Sequence, residues 1–417
     1  MHNPFESESV VICKVSMQRK VRCRITCALI AMGCTLATCS LSNVRFFRIL
    51  NLKAYDTLFI LRQHFRGPQS TDSIILLTAD KKAMASFPEL RKFWHRHYAE
   101  AVSAAAQGGA KVIGLDLAFG ERIDDWDPGA DELLAMVIAN APTHVVVGVL
   151  SDGRTSSERA EVVPANLVAA AQGQMAYANQ TIDDDDFARR QQLMELPSRK
   201  SGDPPPVRSL ALRVVENYVG MEVRLQNGQM TLNGEAIPID RSEAIAINFV
   251  GGPNTFPKVS LADFEVAAKA GDKAKLSSWV KDKIVLIGMD SGRDRFETPF
   301  FTVHPKSTMA GVEIHANTIR TMLDHQFLLP VPQRWRVLAL VAVSLLTSLV
   351  TTTLAPGRAA ISVVLELLAI LTAAYYLFVS GWIISSSELL VATCLSLLLS
   401  VVYRLGAARM NKWVSEA

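Results

Sequence analysis

Apolar residues are segregated along this chain. Four stretches, Ile25 to Leu41, Val337 to Leu354, Ala359 to Val379 and Ile383 to Tyr403, are almost continuously apolar. At roughly 1.5 Å per helical residue each approaches the ~30 Å hydrocarbon core of a bilayer, which predicts four transmembrane helices. After the first, Phe47, Leu50, Ala54, Leu58, Leu61 and Phe65 recur at three- and four-residue steps. That spacing predicts an amphipathic helix, ended by Gly67-Pro68. Short apolar runs then alternate with helical periodicity. Ser73 to Ala79 reads as a buried strand closing at Asp80, Trp94 to Gln107 as a helix capped by Gly108-Gly109, and Lys111 to Phe119 as a strand. Asp131 to Asn140 is a predicted helix and His144 to Leu150 a further strand. Repeated strand–helix–strand units predict parallel strands with right-handed crossovers in an α/β layer architecture. Arg208 to Val219 is helical; between Val223 and Ile239 the period becomes two, with Asn227-Gly228 and Asn233-Gly234 at the turns. This predicts a small antiparallel meander. Ile245 to Val250 reads as a strand and Leu261 to Ala270 as a helix. Lys283 to Gly288 is the last buried strand, followed by a polar loop to Pro299 and a helix from Gly311 on which Val312, Ala316, Ile319 and Leu323 share a face.

The charges set an orientation. Lys14, Arg19, Lys20, Arg22 and Arg24 precede the first segment and place the N-terminus in the cytoplasm. Four crossings return the C-terminus to that side, in agreement with Arg358, Arg404, Arg409 and Lys412. Arg334 and Arg336 fall outside, after a long translocated domain where the charge rule is weak. The expected organisation is a basic cytoplasmic N-terminus (1–24), an uncleaved anchor (25–41), an α/β domain outside the membrane (42–334), helices at 337–354, 359–379 and 383–403, and a short cytoplasmic tail (404–417).

The six cysteines, Cys13, Cys23, Cys27, Cys34, Cys39 and Cys394, leave the whole central region free of thiols. A disulfide framework and a cysteine-based zinc site are excluded there. A net charge of +3 over 417 residues, with no interleaved basic and aromatic stripe, argues against nucleic acid as a partner. Glu366 lies inside the third apolar segment, where a carboxylate is costly and must face protein. Thr393, Ser396 and Ser400 line one face of the fourth, which suits helix packing rather than transport.

The chain has no Gly-x-Ser-x-Gly elbow, His-Glu-x-x-His pair or phosphate-binding loop. No catalytic residue, metal or cofactor is therefore expected. The polar residues of interest stand at or just beyond strand ends: Asp80, Asp116, Asp290, Arg293 and Asp294. Parallel strands bring such ends to one edge, where they bind a small ligand or cation, or else cap helices and pair with one another. His315, in the first turn of its helix, is expected to be neutral and hydrogen-bonded. Asp183 to Asp186, followed by Arg189 and Arg190, reads as a solvated turn with Arg pairs.

Several stretches together resemble the second class of the CHASE superfamily, extracytoplasmic sensory domains associated with cyclases and histidine kinases. Tyr55-Asp56-Thr57-Leu58 is similar to the early Asp motif. Phe93-Trp94-His95-Arg96-His97-Tyr98-Ala99 is similar to the segment opening the first helix, and adds Arg96 to the candidate contacts. Gly114 to Glu121 resembles the Asp-x-x-Phe strand, and Ile247 to Gly251 with Thr255 to Ser260 the Asn and Thr-Phe-Pro pattern. The most specific part is Lys283 to Gly288, Asp294 to Pro299 and Gly311 to Asn317. Departures are Thr78-Ala79 before Asp80, His95 where the family has Pro, and Asp186 in place of a turn glycine. The resemblance implies an α/β extracytoplasmic sensor domain followed by a three-helix membrane module. Relatives commonly continue into a cyclase or kinase, whereas this sequence ends 14 residues after Tyr403. The expectation is a non-enzymatic membrane sensor that detects an unknown small molecule and relays it to a separate signalling or envelope protein. A homo-oligomer is compatible with this. The alternatives are a structural component of an envelope complex, and a truncated sensor enzyme.

Overall fold

The computed structural model describes residues 4–69, 71–150, 163–195, 207–226, 228–292, 294–302 and 307–416. The chain divides into two compact units, Phe59–Leu329 and the remainder, Met1–Leu58 with Pro330–Ala417. Helix α1 (Pro4–Leu41) lies in the second of these; α2 (Arg45–Arg66) starts there and ends in the first. Gly67, at φ 71, stops α2 where its sequence indicates.

The Phe59–Leu329 unit is built on β1 (Ile74–Ala79), α3 (Lys81–Ser86), α4 (His95–Gln107), β2 (Val112–Asp116), α5 (Ala130–Ala139), β3 (His144–Val149), α6 (Ala165–Ala170), β4 (Met175–Tyr177), α7 (Leu210–Val219), β5 (Lys258–Ser260), α8 (Leu261–Lys269), α9 (Lys273–Val280), β6 (Ile284–Met289) and α10 (Gly311–Leu323). The six strands form one parallel sheet in the order β5-β1-β6-β2-β3-β4. Alternate residues point to opposite faces of a strand, and both faces here are apolar. Ile75, Leu77, Ile113, Leu115, Val145, Val147, Val285 and Ile287 pack with α3–α6, α8 and α9. Ile74, Leu76, Val112, Val146, Ile284 and Leu286 pack with α7 and α10. This double burial is why the strands read as continuous apolar runs. Small antiparallel sheets complete the unit. One joins Thr181–Ile182, Ala188–Gln192 and Ala244–Ala246; another is the meander Arg224–Gln226, Gln229–Leu232 and Glu235–Ile237. Asn233 and Gly234 both take positive φ at its second turn, as an Asn-Gly hairpin requires.

Several expectations are corrected. The strand expected from Ile245 to Val250 stops at Ala246. After Ile247, whose N–H reaches the Arg189 carbonyl, the backbone turns to α10. The Asn248 and Val250 N–H groups donate to Thr321 Oγ1 and Asn317 Oδ1, both at 2.9 Å. Side chains of a helix thus satisfy this segment in place of a neighbouring strand. The strand expected to reach Phe119 ends at Asp116. Helix α9, capped by Asp272, and the three-residue strands β4 and β5 have no counterpart in the sequence pattern. The Asp183–Asp186 turn has the expected Arg pairs and exposes Asp184 and Asp186, but Asp183 and Asp185 turn inward. Arg189 is 1 % exposed and pairs with Asp183 and Asp185 at 3.0 and 2.7 Å. Asp186 does take the left-handed conformation, at φ 66, in the place of the family's glycine.

The other unit contains α11 (Gln333–Thr353), α12 (Pro356–Val379) and α13 (Ser386–Glu416). Among the described residues four spans are long and apolar enough to cross a membrane: Val21–Leu41, Gln333–Thr353, Pro356–Val379 and Ser386–Met410. The fourth starts three residues later than expected, because Ile383 is extended and its carbonyl accepts from the Val331 N–H. Helix α11 packs against α1 and α13. Ser344, Thr347, Ser348 and Thr351 of α11 and Thr393, Ser396 and Ser400 of α13 are all buried. Small side chains let helix backbones approach closely. Glu366 on α12 is also buried and accepts a hydrogen bond from Thr347 Oγ1 at 2.9 Å. Near the start of α13, Glu388 accepts from Asn51 Nδ2 at 3.3 Å and pairs with Arg336 at 3.0 Å.

Candidate functional site

The C-terminal ends of β2, β3, β4 and β6 surround a cleft of about 820 Å³. Its lining includes Asp116 and Leu117 after β2, Val149 and Leu150 after β3, Ala178 to Gln180 after β4, and Met289 of β6. Arg91 in the turn before α4, His95 and Tyr98 at its start, and Asp294 and Phe296, before α10, are also part of it. Strand ends at a change of winding direction are where open α/β sheets leave room for ligands. The connections part here: β2 is followed by α5 on one face of the sheet and β6 by α10 on the other.

Three expected residues converge in this cleft or on its floor. Asp116 ends β2 with its side chain 10 % exposed, and its Oδ2 is buried without a hydrogen-bond partner among the described residues. Its Oδ1 lies 3.7 Å from His315 Nε2. The approach of α10 depends on Gly288 of β6. A Cβ there would stand 2.6 Å from Val312 Cβ and 3.2 Å from Asp116 Cβ. His315 is fully buried, with Nε2 3.1 Å from the Ala178 carbonyl. A carbonyl only accepts, so Nε2 carries the proton and Nδ1 is a bare acceptor. Nδ1 has no partner among the described residues. Asp294 covers the N-terminus of α10, its carboxylate lying where any side chain at residue 311 would begin; a Cβ on Gly311 would come within 2.7 Å of Asp294 Oδ1.

Burial governs the protonation of all three. It pushes Asp116 up to about 7. It raises Asp294 to about 7 as well, helped by the Asp116 charge and opposed by His315, Arg91 and Arg295. It lowers His315 to about 4. The neutral imidazole expected from its helix position is therefore present, and desolvation is the main cause. Around this floor, His95 is fixed on Asp131 at 2.5 Å, and Asp131 also accepts from the Ile123 N–H at 2.9 Å. This ties the 117–130 loop to α4. Gln180 donates to the Gly311 carbonyl at 3.2 Å, leaving its own buried oxygen unpartnered among the described residues.

The other expected site residues serve elsewhere. Asp80 caps α3, accepting from the Ala83 N–H at 2.9 Å and from Ser260 Oγ at 2.8 Å. Arg96 faces away from the cleft and grips Asp127 and the Pro128 carbonyl. Asp290 pairs with Arg295 and with Lys258. Arg293 lies outside the described residues. Arg91, Tyr98, Asn179 and Gln180 were not indicated by the sequence pattern. For Asn179 and Gln180 the signal is β4, whose three residues are too few to show a period; once it is recognised, the strand-end rule points to both.

Chemically, the floor offers two buried carboxyl groups and a neutral imidazole. No serine, threonine or cysteine is among the described lining residues. Among the described residues no group of three or more His, Cys, Asp or Glu is arranged to hold a metal ion.

The profile of the CHASE2 domain matches residues 27–350. The chain belongs to this family of extracytoplasmic sensory domains. With its four apolar helices it has the make-up of a membrane sensor-like protein. No curated protein and no solved structure matches it.

Proposed function

We propose that this protein is a non-enzymatic sensor of the cytoplasmic membrane. Its α/β domain stands outside the membrane and binds a small molecule in the cleft above β2 and β6. The bound state is relayed through the membrane helices to a separate protein partner. The observation that carries this reading is the buried oxygen of Asp116, without a partner among the described residues, in a mainly apolar cleft at the strand ends. A buried polar atom without a partner is costly, and such costs are retained where something else completes the site. The route is short in sequence: α10 carries His315 and ends at Leu323, and α11 begins at Gln333. A ligand shifts the partner only by its differential affinity for two conformations.

The test fills the cleft. Ala118 is exposed on its lining, so Ala118→Trp occludes the space without entering the core. Intact protein is crosslinked gently in native membranes, and recovered partners are compared between wild type and variant. The expected result is a partner whose recovery changes when the cleft is filled. Recovery of no membrane or cytoplasmic partner, or an identical set from a folded Ala118→Trp protein, removes the basis for the reading.

A further inference from the structure

We propose that the cleft recognises an organic cation, a protonated amine on a small apolar body, through the carboxylates of Asp116 and Asp294. This rests on the cleft being a ligand site and names the chemistry of its ligand.

Three other acids near this edge of the sheet are matched with bases. Asp290 has Arg295 and Lys258, Asp127 has Arg96, and Asp131 has His95. Asp116 and Asp294 have neither Lys nor Arg in an ion pair among the described residues. The groups facing them do not supply the missing charge. His315 commits its one ring proton to the Ala178 carbonyl. The Arg295 guanidinium is held by Asp290 and by Thr308. Arg91 is exposed beside Gly292, where it weakens the Asp294 field without forming a pair, and Lys92, the other basic residue of the lining, lies over the Phe93 and Trp126 rings. A buried carboxylate needs a partner or else a proton. Below about pH 7 protons neutralise these two; a ligand ammonium displaces them and leaves ion pairs.

The space argues for an organic molecule over a metal ion. About 820 Å³ is in the range of small-molecule sites, and Leu117, Val149, Leu150, Met289 and Phe296 make the wall above the carboxylates apolar. Asp116 and Asp294 alone provide too few anionic ligands for a fixed coordination shell.

The experiment uses full-length protein in detergent micelles at pH 8, with thermal unfolding and calorimetric titration. The probes are pentylammonium, 1-pentanol, pentanoate and calcium ion. The expected result is that pentylammonium alone raises the unfolding temperature, and that Asp116→Asn or Asp294→Asn weakens its binding about ten- to a hundredfold, the range of a charge-assisted hydrogen bond. Asp116→Asn should also raise the unfolding temperature of the unliganded protein at pH 8, a readout that needs no ligand. Should pentanol or pentanoate bind as well as the amine in wild type and be excluded by Ala118→Trp, cation recognition is overturned while the ligand cleft stands. A calcium shift lost in Asp116→Asn overturns the organic ligand in favour of a metal. If no probe binds and Asp116→Asn is destabilising at pH 8, both the cation and the ligand cleft are rejected.

Discussion

At Asp116 burial moves the carboxyl from 3.8 to about 7, and this fixes the sign of a pH effect. Between these values the folded chain holds a proton that the unfolded chain has lost, so stability falls as pH rises from about 4 to 7 and is level above. Asp294 acts in the same direction. His315 acts in the opposite one. Its value drops from 6.5 to about 4, so the unfolded chain takes up the proton first and stability falls as pH is lowered through that window. Unfolding of full-length Asp116→Asn across pH should show its advantage over wild type opening between about pH 4 and 7, then staying constant. His315→Gln should remove the destabilisation between pH 6.5 and 4. A third residue tests structure alone. His95→Ala removes the hydrogen bond to Oδ1 of the fully buried Asp131 carboxylate, a loss that costs about 1–3 kcal/mol; a chemical denaturation midpoint close to that of wild type would show that the pair is dispensable.

Among the elements, β6 and α10 were the most legible in the sequence, and they lie beside and beneath the candidate cleft. Four apolar residues in a row marked β6, and the apolar spacing from Val312 to Leu323 marked α10. Their tight contact, however, was hidden. It rests on Gly288, and Gly288→Ala should cost about 1–3 kcal/mol as an overpacked core position, read as a lower unfolding midpoint. The segment 247–250 was misread because a short apolar run looks the same whether its N–H groups meet a strand or side chains. Strands β4 and β5 were too short to register, and with β4 went Asn179 and Gln180 of the cleft's polar lining. Arg91, in the turn before α4, and Tyr98, in its first turn, are brought in by a tertiary placement with no local signature. Asp80 and Asp290 illustrate the converse: they stand at strand ends, as the pattern showed, but a cap and an ion pair occupy them.

For the whole molecule, the separation of apolar spans from an α/β region with helix–strand alternation was plain from the sequence, and the family match covers most of the chain. The small polar faces of α11 and α13 were partly visible as Thr393, Ser396 and Ser400; that Glu366 meets Thr347 was not, since it depends on how α12 lies against α11. Thr347→Val should destabilise the helix unit by about 0.6–1.7 kcal/mol, the range of side-chain hydrogen bonds inside membranes, measurable as a lower midpoint of unfolding in mixed micelles.

The segment 248–250 has one more consequence. Arg62 of α2 donates to the Asn248 side chain at 2.6 Å and to the Phe249 carbonyl, while Asn317 and Thr321 of α10 hold the two neighbouring N–H groups. Protection of those amides from solvent deuterium thus depends on side chains of α10 and not on a ladder of strands. A shift of α10 by little more than a hydrogen bond's length would release both while the β6 amides stay closed. Asn248 and Val250 are therefore native isotope-exchange reporters, able to register movement of α10 before any partner or output is known.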